Sequence, residues 1–250
     1  MQIARILFFA LVATIVFMAP HTASAEDFSR DDIKSIVREY LLENPEVIRE
    51  AIEELERRQN VAAQAQQRDA IVQLADDLAR QPDALIAGNP DGDVTLVEFF
   101  DYNCGFCKRA HGDLKNLIES DPNLRVVLKE WPFLGPESIE AARVSLAVSR
   151  QGNYFAFHDA LLTGPGVADE TRALQLAEAL GYDMDQVRAD MEDPAIMGRL
   201  EQNMQLGQAI GVNGTPAYVI GNDLLLGAMG FGALQEAVQN ARLSENCATC

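Results

Sequence analysis

The sequence predicts an α/β fold with a large helical insertion and an N-terminal helical leader. Three observations point there. An amphipathic helical stretch fills Phe28 to about Arg80, and two apolar runs, Val94 to Phe100 and Leu124 to Glu130, flank a helical pattern. A long helical block, Pro136 to Ile210, then precedes a hairpin and a last helix.

The leader comes first. Ile33, Ile36, Val37, Tyr40 and Leu41 recur at three- and four-residue steps, which makes one stripe on a helix opened by Ser29 or Asp31. Asn44 caps a second helix with Pro45 in its first position, and Val47, Ile48, Ile52 and Leu55 continue the apolar face. From Val61 to Ala70 the chain turns to Ala and Gln, good helix formers with little apolar mass. Such a segment must pack on the body or on copies of itself.

A turn-rich break at Gly88-Asn89-Pro90-Asp91-Gly92-Asp93 separates the leader from the body. Val94 to Phe100, rich in β-branched and aromatic residues, reads as a buried strand. A helix follows from about Cys107 to Ile118, then a strand from Leu124 to Glu130. Gly152, Gly164-Pro165-Gly166, Gly181 and Pro194 punctuate the helical block. Tyr218 to Ile220 and Leu224 to Leu226 flank Gly221-Asn222-Asp223 as a hairpin, and the last helix runs from about Phe231 to Leu243. The expected divisions are therefore 1–25, 26–87 (the leader, an oligomerisation region), 88–243 (the α/β body) and 244–250.

The first of these divisions is a targeting segment. Arg5, the apolar run Ile6 to Met18, and Ala23-Ser24-Ala25 before Glu26 make the three parts of a secretory signal peptide cleaved after Ala25. The run is shorter than the ~20 residues a membrane span needs. With 20 Lys and Arg against 38 Asp and Glu, the net charge of −18 argues against nucleic acid as a partner and for a well-solvated surface.

All four cysteines fall after the signal, in two pairs of one spacing: Cys104-Gly105-Phe106-Cys107 and Cys247-Ala248-Thr249-Cys250. In an oxidising compartment such pairs are commonly structural. Cys104, however, stands where a buried strand hands over to a helix, so unsatisfied amides and the positive end of the dipole lie beside it. Both favour thiolate, the species that attacks a disulfide, and Cys107, one turn on, is the more buried resolving thiol. A metal site wants two further ligands, and only His111 is near in sequence, so no metal and no cofactor are expected. His111 reads as a half-exposed helix residue and His158, in an aromatic run, as a packed one.

Two further features bear on this pair. Glu98 either faces solvent or points inward beneath the cysteines, where burial would raise its pKa and let it exchange a proton with Cys107. Thr215-Pro216 either makes an ordinary turn before a strand or, with a cis bond, exposes backbone groups that an extended substrate could pair with. Cys247 and Cys250 lie beyond the last helix, where a mobile end is expected; an inert tail, an electron shuttle and a soft-metal site are all consistent with them.

The segment Glu98-Phe99-Phe100-Asp101-Tyr102-Asn103-Cys104-Gly105-Phe106-Cys107-Lys108 resembles the active-site segment of DsbA-like oxidoreductases, and Gly211-Val212-Asn213-Gly214-Thr215-Pro216 resembles their cis-proline loop. Trp131 to Gly135 and Tyr154 to His158 extend the likeness over roughly Val94 to Leu243. Leu41-Leu42-Glu43-Asn44-Pro45-Glu46 is similar to the leader of the suppressor-of-copper-sensitivity protein C type, which can form trimers. The resemblance implies a thioredoxin-like fold, a periplasmic location, and a thiol-disulfide oxidoreductase that forms or isomerises disulfides in exported proteins. It implies Cys104 as nucleophile, Cys107 as resolving thiol, Glu98 as buried acid, Thr215 and Pro216 at the substrate, a membrane partner that resets the pair, and a homotrimer. Gly105-Phe106 and Thr215 are closer to the isomerases than to the strong oxidants, which have Pro-His between their cysteines. The alternative is a periplasmic protein handling a soft metal such as copper through its CxxC pairs.

Overall fold

The computed structural model describes residues 28–250, so the expected signal peptide, Arg5 to Ala25, lies outside the described residues. The chain divides into two compact units, one ending at Glu56 and one running Arg57–Cys250.

In the first unit, α1 (Arg30–Glu43) opens on Ser29. Ser29 Oγ accepts from Asp32 N at 3.2 Å while Asp32 Oδ2 accepts from Ser29 N at 3.0 Å, a reciprocal cap that satisfies two orphan amides. Asn44 works backwards rather than forwards: its Nδ2 donates to Tyr40 O at 2.9 Å and closes α1, and α2 (Glu46–Gln73) begins beyond Pro45. No residue of α1 is buried, and Ile33, Ile36, Val37 and Tyr40 stand exposed along its stripe.

The second unit is built on a five-stranded sheet of β1 (Leu85–Gly88), β2 (Val94–Phe100), β3 (Leu124–Glu130), β4 (Ala217–Ile220) and β5 (Asp223–Leu226), in the order β1-β3-β2-β4-β5. Only β2 and β3 are parallel, joined by the crossover helix α4 (Gly105–Ser120); the other neighbours are antiparallel. Every residue of β2 is buried because layers cover both faces. Leu96 and Phe100 face a core shared with α4, and Val97 and Phe99 face a second core with Ile71, Leu78, Trp131 and Leu206. That alternation assigns Glu98 to the α4 side. The helical block resolves into α5 (Pro136–Ser149), α6 (Tyr154–Thr163), α7 (Glu170–Ala179), α8 (Met184–Met191) and α9 (Pro194–Ala209), and α10 (Phe231–Leu243) closes the unit.

Two expectations need correction. The sheet starts before Gly88: β1 pairs with β3 from Leu85↔Leu128 onward, and Ile71 in α2 and Leu78 in α3 (Ala75–Ala79) fill the second core. The leader thus gives up its later part to the body, because an edge strand of four residues has a tertiary partner but no local signal. The segment after α10 is also docked rather than frayed. Thr249 is buried, its carbonyl accepting from Thr95 N at 2.8 Å and its Oγ1 from Gly221 N at 2.8 Å.

Candidate active site

The C-terminal end of β2 leads into a knot around Asp101. Its Oδ1 accepts from Asn103 N (2.7 Å) and Ser138 Oγ (2.8 Å), and its Oδ2 from Phe133 N (3.0 Å) and Leu134 N (3.1 Å). Asn103 in turn exchanges two hydrogen bonds with the Ala168 backbone, each 2.8 Å, which ties the loop to the helical block. The turn into α4 is therefore held by fixed donors on both sides. Neither residue was singled out from sequence, where a buried Asp and a loop Asn have no distinguishing pattern.

Cys104 is the N-cap of α4 in extended backbone conformation, and Cys107 lies on its first turn. Cys104 Sγ lies 3.1 Å from Thr215 O, which accepts its S–H while the thiol is protonated. The Cys104 thiol is pulled from 9.0 to about 5, first by the Cys107 thiol and then, against burial, by the Thr215 side chain and the amides of Cys107 and Phe106. Thr215 Oγ1 is buried and has no other partner among the described residues, which leaves it to donate to that thiolate. Cys107 is fully buried; burial pushes its thiol far up, and Cys104 and Glu98 push the same way.

Glu98 is 1% exposed, so of the two sequence readings the inward one describes it. Burial raises its carboxyl from 4.5 to about 8, against the pull of Tyr218, its register partner on β4, and with a further push from Cys104. The Thr215-Pro216 bond is cis, and Pro216 O accepts from Gly227 N at 2.8 Å. The pair and the loop thus meet: β2 and β4 lie side by side and deliver Cys104 and Thr215 to the same end of the sheet. Beside them a cavity of about 490 Å³ is lined by Phe106, Arg109, Asn213, Gly214, Thr215 and Leu226. Phe106 is exposed there, with Arg109 Cζ 4.4 Å above its ring.

The histidines sort differently. His158 is packed as expected, edge-on to Phe100 at 4.6 Å. His111 is not half-exposed: it is buried, with Nε2 2.7 Å from Asp159 Oδ1, because α6 covers that face of α4. A polar cluster beneath the loop also escaped the sequence reading. Tyr154 donates to Glu130 Oε1 at 2.9 Å, the Tyr102 hydroxyl lies 2.7 Å from Ser145 Oγ, and burial raises Glu130 from 4.5 to about 8. These residues are far apart in sequence and only the fold gathers them.

The arrangement can hold a thiolate at Cys104 above a protonated thiol at Cys107, with a protonated carboxyl within the same core. That is the chemistry of disulfide exchange. The family described as DSBA-like thioredoxin domain matches residues 95–239, and the one described as Copper resistance protein ScsC N-terminal domain matches residues 30–62. Among solved structures, a thioredoxin-like oxidoreductase from Silicibacter pomeroyi DSS-3 is 46% identical, covering 68% of this chain and 98% of that one at a TM-score of 0.66. The thiol-disulfide exchange protein alpha-DsbA2 from Wolbachia pipientis is 30% identical, covering 72% and 97% at a TM-score of 0.66. A periplasmic thioredoxin-like protein from Salmonella enterica serovar Typhimurium is 28% identical, covering 70% and 97% at a TM-score of 0.61. Curated relatives include the Na(+)/H(+) antiporter NhaA of Herminiimonas arsenicoxydans, 30% identical over 144 residues; the match takes in 57% of this chain but only 23% of that protein's length. No helix among the described residues here is long and apolar enough to cross a membrane. Residues 95–239 hold Glu98, both cysteines of the pair and the Thr215-Pro216 loop, and on that match the chain belongs to the DSBA-like thioredoxin domain family.

Proposed function

We propose that the chain is a periplasmic thiol-disulfide oxidoreductase that forms or isomerises disulfides in exported proteins by way of a mixed disulfide at Cys104. The observation that carries this reading is the asymmetry of the pair: a Cys104 thiol brought to about 5 beside a buried Cys107 thiol pushed up. In oxidation, a client thiolate attacks Cys104 of the Cys104–Cys107 disulfide, and Cys107 leaves with a proton from Glu98. A second client thiolate then attacks the client sulfur of the mixed disulfide. The client leaves oxidised and two electrons stay on the pair, for a membrane redox partner to remove. In isomerisation, Cys104 thiolate attacks a client disulfide and is displaced by a different client thiol. Thr215 offers backbone groups to an extended client, Pro216 holds the loop beside Cys104, and the cavity at Phe106 takes the client's side chains.

The leader supports a homotrimer. The apolar stripe of α1 is unburied within the chain, and residues 30–62 match the ScsC N-terminal domain. Several Cys104 sites would then face one client, a geometry suited to isomerisation. Division of the chain into leader, body and docked tail follows, with the signal peptide ending at Ala25.

Iodoacetamide labelling of the reduced protein tests the site: Cys104 is expected to be modified first, near pH 6, and modification of Cys107 first overturns the assignment. Light scattering on the full mature chain and on one beginning at Arg57 tests the assembly, and equal monomer masses overturn it.

A further inference from the structure

We propose that the Cys247–Cys250 disulfide is a second thiol-disulfide exchange site, separate from the Cys104 pair, whose partner is a thiol from outside the chain such as glutathione or a protein dithiol. The two pairs sit at opposite ends of the same two strands. At one end Cys104 Sγ meets Thr215 O, just before β4; at the other Thr249, inside the Cys247–Cys250 ring, accepts from Thr95 N of β2 and from Gly221 N just after β4. The length of β2 lies between them, about 20 Å at ~3.3 Å per residue. Direct transfer between the pairs of one molecule is therefore out of reach, and the tail pair must exchange with an external thiol.

Three features suit it to that. Cys250 is exposed and Cys247 half-buried, and a cavity of about 530 Å³ beside them is lined in part by Gly221, Asn222, Ala241, Ser244 and Asn246, with Cys250 Sγ 3.7 Å from Ala241 O. The backbone of the bridge is anchored, since Arg80 Nη2 donates to Ala248 O at 2.8 Å and Cys250 O at 3.0 Å, and Arg80 Nη1 is held by Asp76. And the segment does not depend on the bond. A ring this small adds little stability, whereas the Asn222 side chain donates to Asn246 O and accepts from Ala248 N, both at 2.7 Å, without involving either sulfur. The sulfurs stay within reach of each other and the bond can reclose.

A partner thiolate attacks Cys250 Sγ, which forms a mixed disulfide and expels Cys247 as thiolate. A second thiolate, from the same protein dithiol or from another glutathione, attacks the partner sulfur in that bond and expels Cys250. The partner leaves as a disulfide, its two electrons rest on the tail pair, and the two protons lost by its thiols go to Cys247 and Cys250.

The test uses full-length C104S/C107S, with C247S/C250S in parallel so that failure of either site is read separately. Both are equilibrated in graded mixtures of reduced and oxidised glutathione, quenched with acid, alkylated and weighed; peptide mapping of the parent checks both pairs in the unmodified chain. The tail pair is expected to reach the same half-reduction point from either direction, within about 100-fold in glutathione ratio of the Cys104 pair, with the circular dichroism spectrum unchanged. A bridge that stays oxidised beyond that range, or opens only as the fold is lost, is a structural clasp, and the proposal fails.

Discussion

Cys104 and Cys107 stand where a strand becomes a helix, whereas Cys247 and Cys250 close a loop that follows a helix and lies across the far end of the sheet. Both pairs enclose two residues, so spacing cannot account for their difference. At the first pair the Cys107 thiol, the Thr215 side chain from the loop before β4, and the Cys107 and Phe106 amides all lower the Cys104 thiol; a thiolate finds hydrogen bonds that a thiol does not. At the second pair the hydrogen bonds go to the backbone around the sulfurs, and the ring is held rather than charged. The comparison teaches that a CxxC acquires its reactivity from where the secondary structure puts its first sulfur.

The widest gap between the pairs should appear on removing each nucleophile. Cys104→Ser is expected to lower oxidative-refolding or insulin-reduction turnover by a factor on the order of 10³ or more, while C247S/C250S leaves it within about twofold. Equal losses in a turnover assay break the comparison. The same Cys104→Ser change tests the thiolate through stability. Between about pH 5 and 8.5 the unfolded chain holds the Cys104 proton and the folded chain does not, so this group makes stability rise with pH. Glu98 and Glu130 act oppositely: from about 4.3 to 8 the folded chain holds their protons and the unfolded chain does not, so stability falls. Replacing Cys104 removes the rising contribution and, of what raises Glu98, only the smallest cause, so the falling contribution stays in place. Urea unfolding of the reduced variant should therefore show a slope more negative than the parent's by about 1.4 kcal/mol per pH unit in that window; parallel curves would reject the lowered Cys104 pKa.

A smaller effect is expected at the acid. Glu98→Gln keeps the shape but can neither give nor take a proton, so resolution of the mixed disulfide through Cys107, whose thiol must lose its proton to attack, should slow by about 10²-fold, with Cys104 alkylation unchanged. Stopped-flow decay of a trapped mixed disulfide reads this step. A decay rate equal to the parent's assigns the proton to another group.

The smallest expected effect lies at the far end. Thr249→Val leaves Gly221 N without its acceptor and should cost about 1–2 kcal/mol of stability in urea, with Cys104 still ionising near 5. A shift in the Cys104 titration would mean that β4 couples the two ends.

Much was legible in the chain as written. Val94–Phe100, Leu124–Glu130 and the last helix were readable because their apolar patterns repeat locally, and the junction at Cys104 followed from them. The first helix and its exposed stripe were legible for the same reason. Other elements depended on partners far along the chain. β1 is four residues whose only distinction is to pair with β3. His111 is buried because α6 supplies Asp159, and Asp101 matters because Phe133, Leu134 and Ser138 converge on it.

The sequence by itself determined the α/β order, the cysteine pair at a strand-to-helix junction, and the two alternatives for Glu98 and for Thr215-Pro216. The tertiary structure alone decided that Glu98 is buried and that the Thr215-Pro216 bond is cis. Period-2 alternation says that Glu98 and Leu96 share a face, but only the layer above that face makes it dry and lifts the carboxyl to about 8. It also decided the fate of the second pair. A terminal segment has no packing written into its own residues, and it was docked by Thr95, Gly221, Asn222 and Arg80, each from a different part of the fold. Local pattern sets secondary structure because its interactions lie within a few residues; burial and electrostatics are sums over neighbours that the chain brings together only when it folds.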